Sequence, residues 1–295
     1  MSSFIMMIGL PGSGKSTIAQ AYSVGYGYEV VSSDAIREEL YGDAAIQGDP
    51  QKVFKVFHQR IEEVLKAGKN CIADATNLKR KNRIAMLRLP EVEKAYKKAY
   101  FVAVPVSVCR LRNEGRERTV PNEVITRMAN SFEPPTIEEG FNYIAVNTCG
   151  FEGIYGDEKF FYETYKDYDQ KNSHHTLSLG DHCWKTAKLA DEKGAGPLLC
   201  MAAAIHDCGK PMTLSFKEGD EDAHYYGHHC RGAYESFFFN LPYVDTEAKK
   251  IIVANLIYAH MLPFFNGGME KLEREYSRSF VEEVNLLHEA DKEAK

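Results

Sequence analysis

The segment Phe4-Ile5-Met6-Met7-Ile8-Gly9-Leu10-Pro11-Gly12-Ser13-Gly14-Lys15-Ser16-Thr17 decides the reading of the N-terminal half. From Gly9 onward it fits G-x-x-x-x-G-K-[ST] without a gap, after an apolar run of strand length and before a helical pattern. Glycines let backbone N–H groups turn inward around phosphate oxygens, and the helix that follows adds its positive N-terminal end. In such a loop Lys15 reaches the β and γ phosphates of ATP or another nucleoside triphosphate, and the Ser16 hydroxyl ligates Mg²⁺. Gly9, Gly12, Ser13, Gly14 and Thr17 complete the candidate nucleotide cradle. The bland alternative, a glycine-rich turn without function, does not account for the strand before it and the helix after it.

Working outward, further apolar runs at Tyr28–Val31, Asn70–Ala73, Ala99–Val104 and Tyr143–Val146 predict strands, making five with Phe4–Ile8. Between them, Val53, Phe54, Phe57, Ile61, Val64 and Leu65 recur at helical spacing, with Gly68 as a stop. Strand–helix alternation predicts an α/β domain with a doubly wound parallel sheet. From Thr148 to Lys171 the pattern breaks into Gly-, Asp- and Tyr-rich sequence, which places a domain boundary near Gly156. Beyond it, Leu198–Ile205, Ala248–Tyr258 and Phe280–Ala290 read as helices and convincing strands are lacking. The expected organisation is an α/β domain over residues 1–155 and an all-α domain over 156–295.

The chain has 295 residues with 44% hydrophobic and 26% charged, which excludes wholesale disorder. No apolar run reaches a membrane span of roughly 20 residues, the N-terminus lacks a signal-peptide pattern, and seven cysteines form no CxxC pair. These features predict a soluble cytoplasmic protein with free thiols and no membrane partner. The net charge of −6 argues against broad basic coating of nucleic acid. The halves differ: residues 1–150 carry 20 Lys+Arg against 17 Asp+Glu (+3), and residues 151–295 carry 16 against 25 (−9). Nine of ten histidines lie between His174 and His288, leaving His58 alone in the first half. An acidic, histidine-rich half suggests a cation site beside a phosphate-handling unit.

Asp34 follows the second strand, where a carboxylate near the phosphate loop can take a proton from an attacking hydroxyl; the alternative is a helix cap for Ala35–Leu40. Arg37, three residues on, shares its helical face and suits an anionic acceptor. Asp74 ends the third strand, suited to orienting Mg²⁺ or holding the acceptor-side loop. The basic run from Lys79 to Arg83 reads equally well as a solvated helix face. The segment Arg110-Leu111-Arg112-Asn113-Glu114-Gly115-Arg116-Glu117-Arg118 suits closure over donor phosphates, or an ion-paired surface helix.

Together the phosphate loop, Ser33-Asp34-x-x-Arg37, Asp74-Ala75-Thr76-Asn77 and Arg112-Asn113…Arg116…Val120-Pro121 resemble the polynucleotide 5′-kinase family over roughly the first 150 residues. The resemblance implies Asp34 as general base for a 5′-hydroxyl, Arg37 as an acceptor-phosphate contact, and Arg112 and Arg116 as lid residues, Arg116 on the donor phosphates. Phage members carry a DxDxT phosphatase motif. Here Asp167-Tyr168-Asp169-Gln170-Lys171 has lysine in place of threonine and no apolar strand before it, so that motif is rejected.

The second half offers a different signal. His182, the pair His206-Asp207 at the end of an apolar helix, Gly227-His228, Tyr258-Ala259-His260 and Glu289-Ala290-Asp291 could converge from separate helices on a cation. Each histidine alone is more often a packing residue; a histidine within an apolar helix nevertheless needs some partner. The joint pattern resembles the HD phosphohydrolase superfamily from about His174 to Asp291, and especially the HD domain joined to some bacterial tRNA nucleotidyltransferases. The resemblance implies metal ligands His182, His206, Asp207 and Asp291, with His228 and His260 as further ligands if two metals bind or as phosphate contacts if one does. Mixed nitrogen and oxygen donors suit Mn, Fe, Co, Ni or Zn. Lys210 reads as a phosphate contact or an ion-pair partner.

The expected function is nucleic-acid end healing. The first domain would phosphorylate single-stranded 5′-hydroxyl ends of RNA or DNA, and the second would remove 2′,3′-cyclic, 2′- or 3′-phosphates, preparing ends for a ligase. Known kinase–HD healing enzymes resemble this plan with the domain order reversed. A small-molecule kinase fused to a nucleotide phosphohydrolase, or a nucleotide-gated binding protein, would use the same residues.

Overall fold

Every apolar run read as a strand forms one: β1 (Ser3–Ile8), β2 (Glu29–Ser32), β3 (Cys71–Asp74), β4 (Tyr96–Val102) and β5 (Tyr143–Asn147). The computed structural model describes residues 1–115, 119–173 and 176–295. These divide into two units, residues 1–128 with 135–149, and residues 129–134 with 150–295.

In the first unit the strands make a single sheet in the order β2-β3-β1-β4-β5, with every neighbouring pair parallel. Successive residues of β1 are buried, as are all four of β3, the signature of strands covered on both faces. The chain leaves β1 toward β2 on one side and returns through β4 on the other, so the sheet's topological switch point lies at the carboxyl end of β1. Ligands of open α/β sheets gather at that point. The helix Pro50–Lys66 begins with proline in its first turn and an Asp49 cap, and buries Val53, Phe57, Ile61 and Leu65.

The run from Lys79 to Arg83 is not a uniformly solvated face. Arg83 is fully buried and pairs with both oxygens of Glu139, at 2.7 Å from Nε and 2.6 Å from Nη2. Arg80 donates to Thr136 Oγ1 at 2.9 Å. Two of the run's cations therefore fasten the helix Arg80–Leu87 to the turn before β5, while Lys81 stays exposed.

The second unit is helical among the described residues, apart from one antiparallel bridge between Ser215 and His224. Its helices are Glu158–Tyr165, Leu179–Glu192, Pro197–Ile205, His228–Glu235, Glu247–Ala259, Gly268–Glu275 and Arg278–Glu293. The first of these lies in the Tyr-rich stretch that gave no periodic signal; Asp157 caps it and Phe161 anchors it. Residues 129–134 pack within this unit, with Phe132 edge-on to Tyr234 at 5.3 Å and Arg231 donating to Asn130 Oδ1 at 3.2 Å. No helix among the described residues is long and apolar enough to cross a membrane.

Candidate active sites

The phosphate loop is held open by backbone geometry. Gly12 and Gly14 have φ of +82° and +94°, values that L side chains rarely adopt. A Cβ on Gly12 would sit 2.3 Å from the Cys109 carbonyl oxygen, so the loop also needs glycine for its approach to a neighbouring helix. The Gly9 N–H donates to Thr76 O at 3.0 Å, which joins the loop to the segment after β3. Gly14 precedes the helix Lys15–Tyr26 and no side chain caps it, so the first-turn amides are open to an anion. The Ser13 hydroxyl is buried and makes no hydrogen bond. Ser16 and Thr17 follow in the exposed first turn.

A cavity of about 520 Å³ adjoins the loop and is lined by Lys15, Ser16, Asp34, Arg37, Asp74 and Arg127, among others. The cap of the helix Ser33–Tyr41 is Ser32, whose Oγ accepts from the Asp34 amide at 3.3 Å. Asp34 therefore stands in the first helical turn, and its presence there is not explained by capping. Arg37 Nη1 holds its carboxylate at 2.9 Å and also donates to Ser33 O. The buried Asp74 Oδ1 makes no hydrogen bond. A buried carboxylate oxygen in that state favours a cation or its water shell nearby. Ser32 and Asp74 are register partners at the carboxyl ends of β2 and β3, and Asp34, two residues after Ser32, lines the same cavity as Asp74 and Lys15.

Arg112 is exposed on the helix Val106–Glu114 and does not line this cavity. Arg116 lies outside the described residues. Asn113, named in the lid motif, is accompanied by one contributor that the sequence did not single out, Arg127. Asn113 is buried and closes the arginine segment, giving and receiving hydrogen bonds with Val120 at 2.8 and 2.9 Å. Arg127 supplies a second guanidinium to the cavity; only the distant Val120-Pro121 signal pointed to this region.

In the second unit all six residues expected as ligands are buried and converge. His182 Nε2 lies 3.0 Å from Asp291 Oδ1, and His206 Nε2 lies 3.4 Å from Asp207 Oδ2. The other oxygen, Asp207 Oδ1, faces His228 Nε2 at 3.2 Å and His260 Nε2 at 3.7 Å. Asp207 thus joins two groups, His182/His206/Asp291 and His228/His260.

The ring orientations are set by the backbone. Nδ1 of His206, His228 and His260 sits 2.8, 2.8 and 2.6 Å from the carbonyl three residues earlier, at Ala203, Tyr225 and Ile257. Donation from Nδ1 leaves the Nε2 lone pair directed at the cluster, the tautomer a metal ligand requires. His206 Nε2 is buried without a hydrogen bond of good geometry. The close approach has a backbone cause too. A Cβ on Gly209 would fall 2.1 Å from His228 O, so glycine lets the Asp207 turn lie directly on the helix His228–Glu235.

The electrostatics point the same way. Burial works against a charged His206, but the adjacent Asp207 carboxylate outweighs it and holds the imidazole's pKa well above its ordinary value. Despite its burial, Asp207 is held well below the usual carboxylate range by Lys210 and His206. His260 moves the other way, kept neutral by burial and by the charge of His206. A divalent cation could replace the proton on His206 as the partner of both aspartates; the donor set of four imidazoles and two carboxylates fits such an ion. Lys210 Nζ lies 2.6 Å from Asp207 Oδ2 and 2.7 Å from Gln170 Oε1, which makes it an ion-pair partner. His224 and His229 stand outside the cluster, His224 on Asp220 and His229 against Tyr258 and Phe265.

A sequence family described as an AAA domain matches residues 4–135. With the parallel sheet and the loop, this match fits a P-loop α/β domain for the N-terminal unit. Among solved structures the chain is similar to a chain of the Pnkp1/Rnl/Hen1 RNA repair complex, at 22% identity, over 43% of this chain and 42% of that one, with a TM-score of 0.40. The chain thus spans less than half of that relative's length. It is similar also to a sugar kinase from Janibacter sp. HTCC2649 (19% identity, 50% and 86% coverage, TM-score 0.39). A gluconokinase from Sinorhizobium meliloti 1021 matches at 19% identity, 49% and 81% coverage, and TM-score 0.36. No curated protein matches the chain.

Proposed function

We propose that the chain is a bifunctional nucleic-acid end-healing enzyme, a 5′-hydroxyl kinase joined to a metal-dependent phosphoesterase of the HD type. The observation that carries the reading is the convergence of His182, His206, Asp207, His228, His260 and Asp291 in a protein that also holds a complete phosphate loop. In the kinase unit the loop amides and Lys15 cradle the phosphates of ATP or another NTP, and Ser16 with Asp74 holds Mg²⁺. Asp34 receives the proton of the attacking hydroxyl, and Arg37, already in contact with it, orients that carboxylate and meets an anionic acceptor. Arg127 faces developing charge from the same cavity, a role expected also of Arg112 and Arg116.

In the helical unit His182, His206, Asp207 and Asp291 would hold a divalent ion, and His228 and His260 would serve as further ligands if two ions bind or as phosphate contacts if one does. Mn, Fe, Co, Ni or Zn suits those donors. When bound, such an ion acidifies water for attack on phosphorus and offsets charge on a phosphoryl oxygen. Lys210 keeps Asp207 ionised and positioned as a ligand.

The substrate of the whole would be a single-stranded RNA or DNA break bearing a 5′-hydroxyl and a 2′,3′-cyclic, 2′- or 3′-phosphate, and the product would suit a ligase. The test is end analysis of a 5′-hydroxyl, 2′,3′-cyclic-phosphate RNA after incubation with ATP and divalent ions. Conversion of both ends is expected. Phosphate transfer only to free nucleosides or metabolites, with both RNA ends unchanged, would overturn the assignment.

A further inference from the structure

The histidine–aspartate cluster opens onto a cavity of about 320 Å³ whose wall is unusual for a site built to handle phosphate alone. Asp207, His228, His260 and Asp291 form its polar floor. Around them stand aromatic side chains that folding leaves uncovered. Tyr226 is 60% exposed, and Phe264 and Phe265 are 42% and 45% exposed. None of the three is needed to reach a cation or a phosphoryl oxygen. Exposed aromatic area is costly in water unless a ligand covers it.

The wall is also preorganised. The Tyr226 ring lies flat on His224, with centroids 5.3 Å apart and planes 10° from parallel. His224 is itself tethered by Asp220 Oδ2 at 2.7 Å, and Lys217 Nζ stands 5.2 Å from the Tyr226 ring centre. Phe265 is braced by His229, with ring centres 5.6 Å apart. Rings held in this way lose little freedom when a flat partner stacks on them. The cavity volume falls at the lower end of the roughly 300–1,000 Å³ of small-ligand sites, on the scale of one nucleotide unit.

We propose that Tyr226 with His224, and Phe265 with Phe264, form a nucleobase-stacking subsite that directs the histidine–aspartate centre to phosphoesters carried on a nucleotide. The inference rests on the phosphohydrolase reading and deepens it by naming the residues that would hold the base of the nucleotide. Recognition is by the π face of the base, so it is tolerant of base identity. A phosphate on a sugar without a base would meet the same cation ligands and gain nothing from the wall. The chemistry is shared by a strand end and a free mononucleotide, so the experiment uses both.

The full-length protein with Mn²⁺ is offered three substrates, with inorganic phosphate release as the readout. They are 3′-AMP, a short oligonucleotide with a 3′-phosphate, and the same oligonucleotide with an abasic terminal nucleotide. Tyr226→Ala and Phe265→Ala should each raise KM roughly 10-fold for the base-bearing substrates, the scale of one lost stacking contact. kcat and abasic turnover should be unchanged, and Tyr226→Phe should restore KM. An effect on the oligonucleotide alone would identify the strand end as the ligand; an effect on both would include mononucleotides. Equal effects on base-bearing and abasic substrates, or none, would overturn the subsite. Calorimetric binding of 3′-AMP to the same variants separates the two hypotheses. Binding that weakens in Tyr226→Ala while wild type releases no phosphate defeats the phosphohydrolase reading and keeps the subsite. Absence of 3′-AMP and oligonucleotide binding to wild type defeats the subsite.

Discussion

The two candidate sites are built by opposite means. In the P-loop unit the anion cradle is made of main-chain amides, and its demanding positions are glycines, such as Gly12 pressed against Cys109 O. In the helical unit the backbone supplies carbonyls that orient imidazoles, and the site itself is made of side chains from five separate stretches. A loop of amides is written into nine consecutive residues. A cage of side chains exists only once helices have packed, so each of its members is inconspicuous alone.

The contrast can be broken most severely by removing one acidic residue from each site. Asp34→Ala should lower phosphorylation of 5′-hydroxyl ends by about 10²- to 10⁴-fold, the range for loss of a general base, and leave phosphate release intact. Near-normal kinase turnover in that variant removes Asp34 from the mechanism. Asp207→Ala should do the reverse, lowering metal content and phosphoesterase activity by about 100-fold or more while sparing the kinase, as metal analysis and paired assays would reveal. Loss of both activities in either variant would mean one shared site or a misfolded chain.

A gentler comparison exchanges hydrogen for methyl at one glycine in each unit. Gly209→Ala should destabilise the helical unit by about 1–3 kcal/mol, since its Cβ would fall 2.1 Å from His228 O, and should weaken metal binding. Gly12→Ala, whose Cβ would fall 2.3 Å from Cys109 O, should destabilise the P-loop unit by a similar amount, about 1–3 kcal/mol, and raise KM for ATP with the metal site unaltered. If Gly209→Ala binds metal like wild type, the close backbone approach does not shape the cage.

The smallest effect expected concerns His58, the histidine of the histidine-poor unit. Burial beside Phe54 and Phe57 lowers its pKa, so the unfolded chain takes up the proton first. Its contribution to stability is therefore present above the unfolded value of about 6.5 and is lost as pH falls through the folded pKa. His58→Gln should flatten the stability profile slightly on the acid side of pH 6.5 in denaturant titrations. A steeper profile in the variant would contradict the sign.

How much of this was legible beforehand follows from the range of the interactions. The five strands were readable as continuous apolar runs of strand length, such as Phe4–Ile8, and the helix Pro50–Lys66 from the helical spacing of Val53 to Leu65, whereas the helix Leu179–Glu192 was not read. The grouping of His182, His206, Asp207, His228, His260 and Asp291 was readable only through a family resemblance that joined scattered histidines. Arg80 and Arg83 were opaque because Glu139, 56 positions from Arg83, decides that they are buried. Lys210 was ambiguous until Asp207 Oδ2 appeared at 2.6 Å. Arg127 gave no local signal at all, since only tertiary folding brings it to the cavity with Asp34.

The hexapeptide 129–134 has a practical implication for dissecting the molecule. It is encoded amid the P-loop unit, yet Phe132 and Asn130 make their contacts with Tyr234 and Arg231. A gene severed anywhere between codons 135 and 156 would leave the C-terminal fragment without that hexapeptide, stripping the edge from Tyr234 and the amide from Arg231. Independent expression of the helical half is therefore better attempted by grafting those six residues back, through a short linker, than by trimming at the apparent seam.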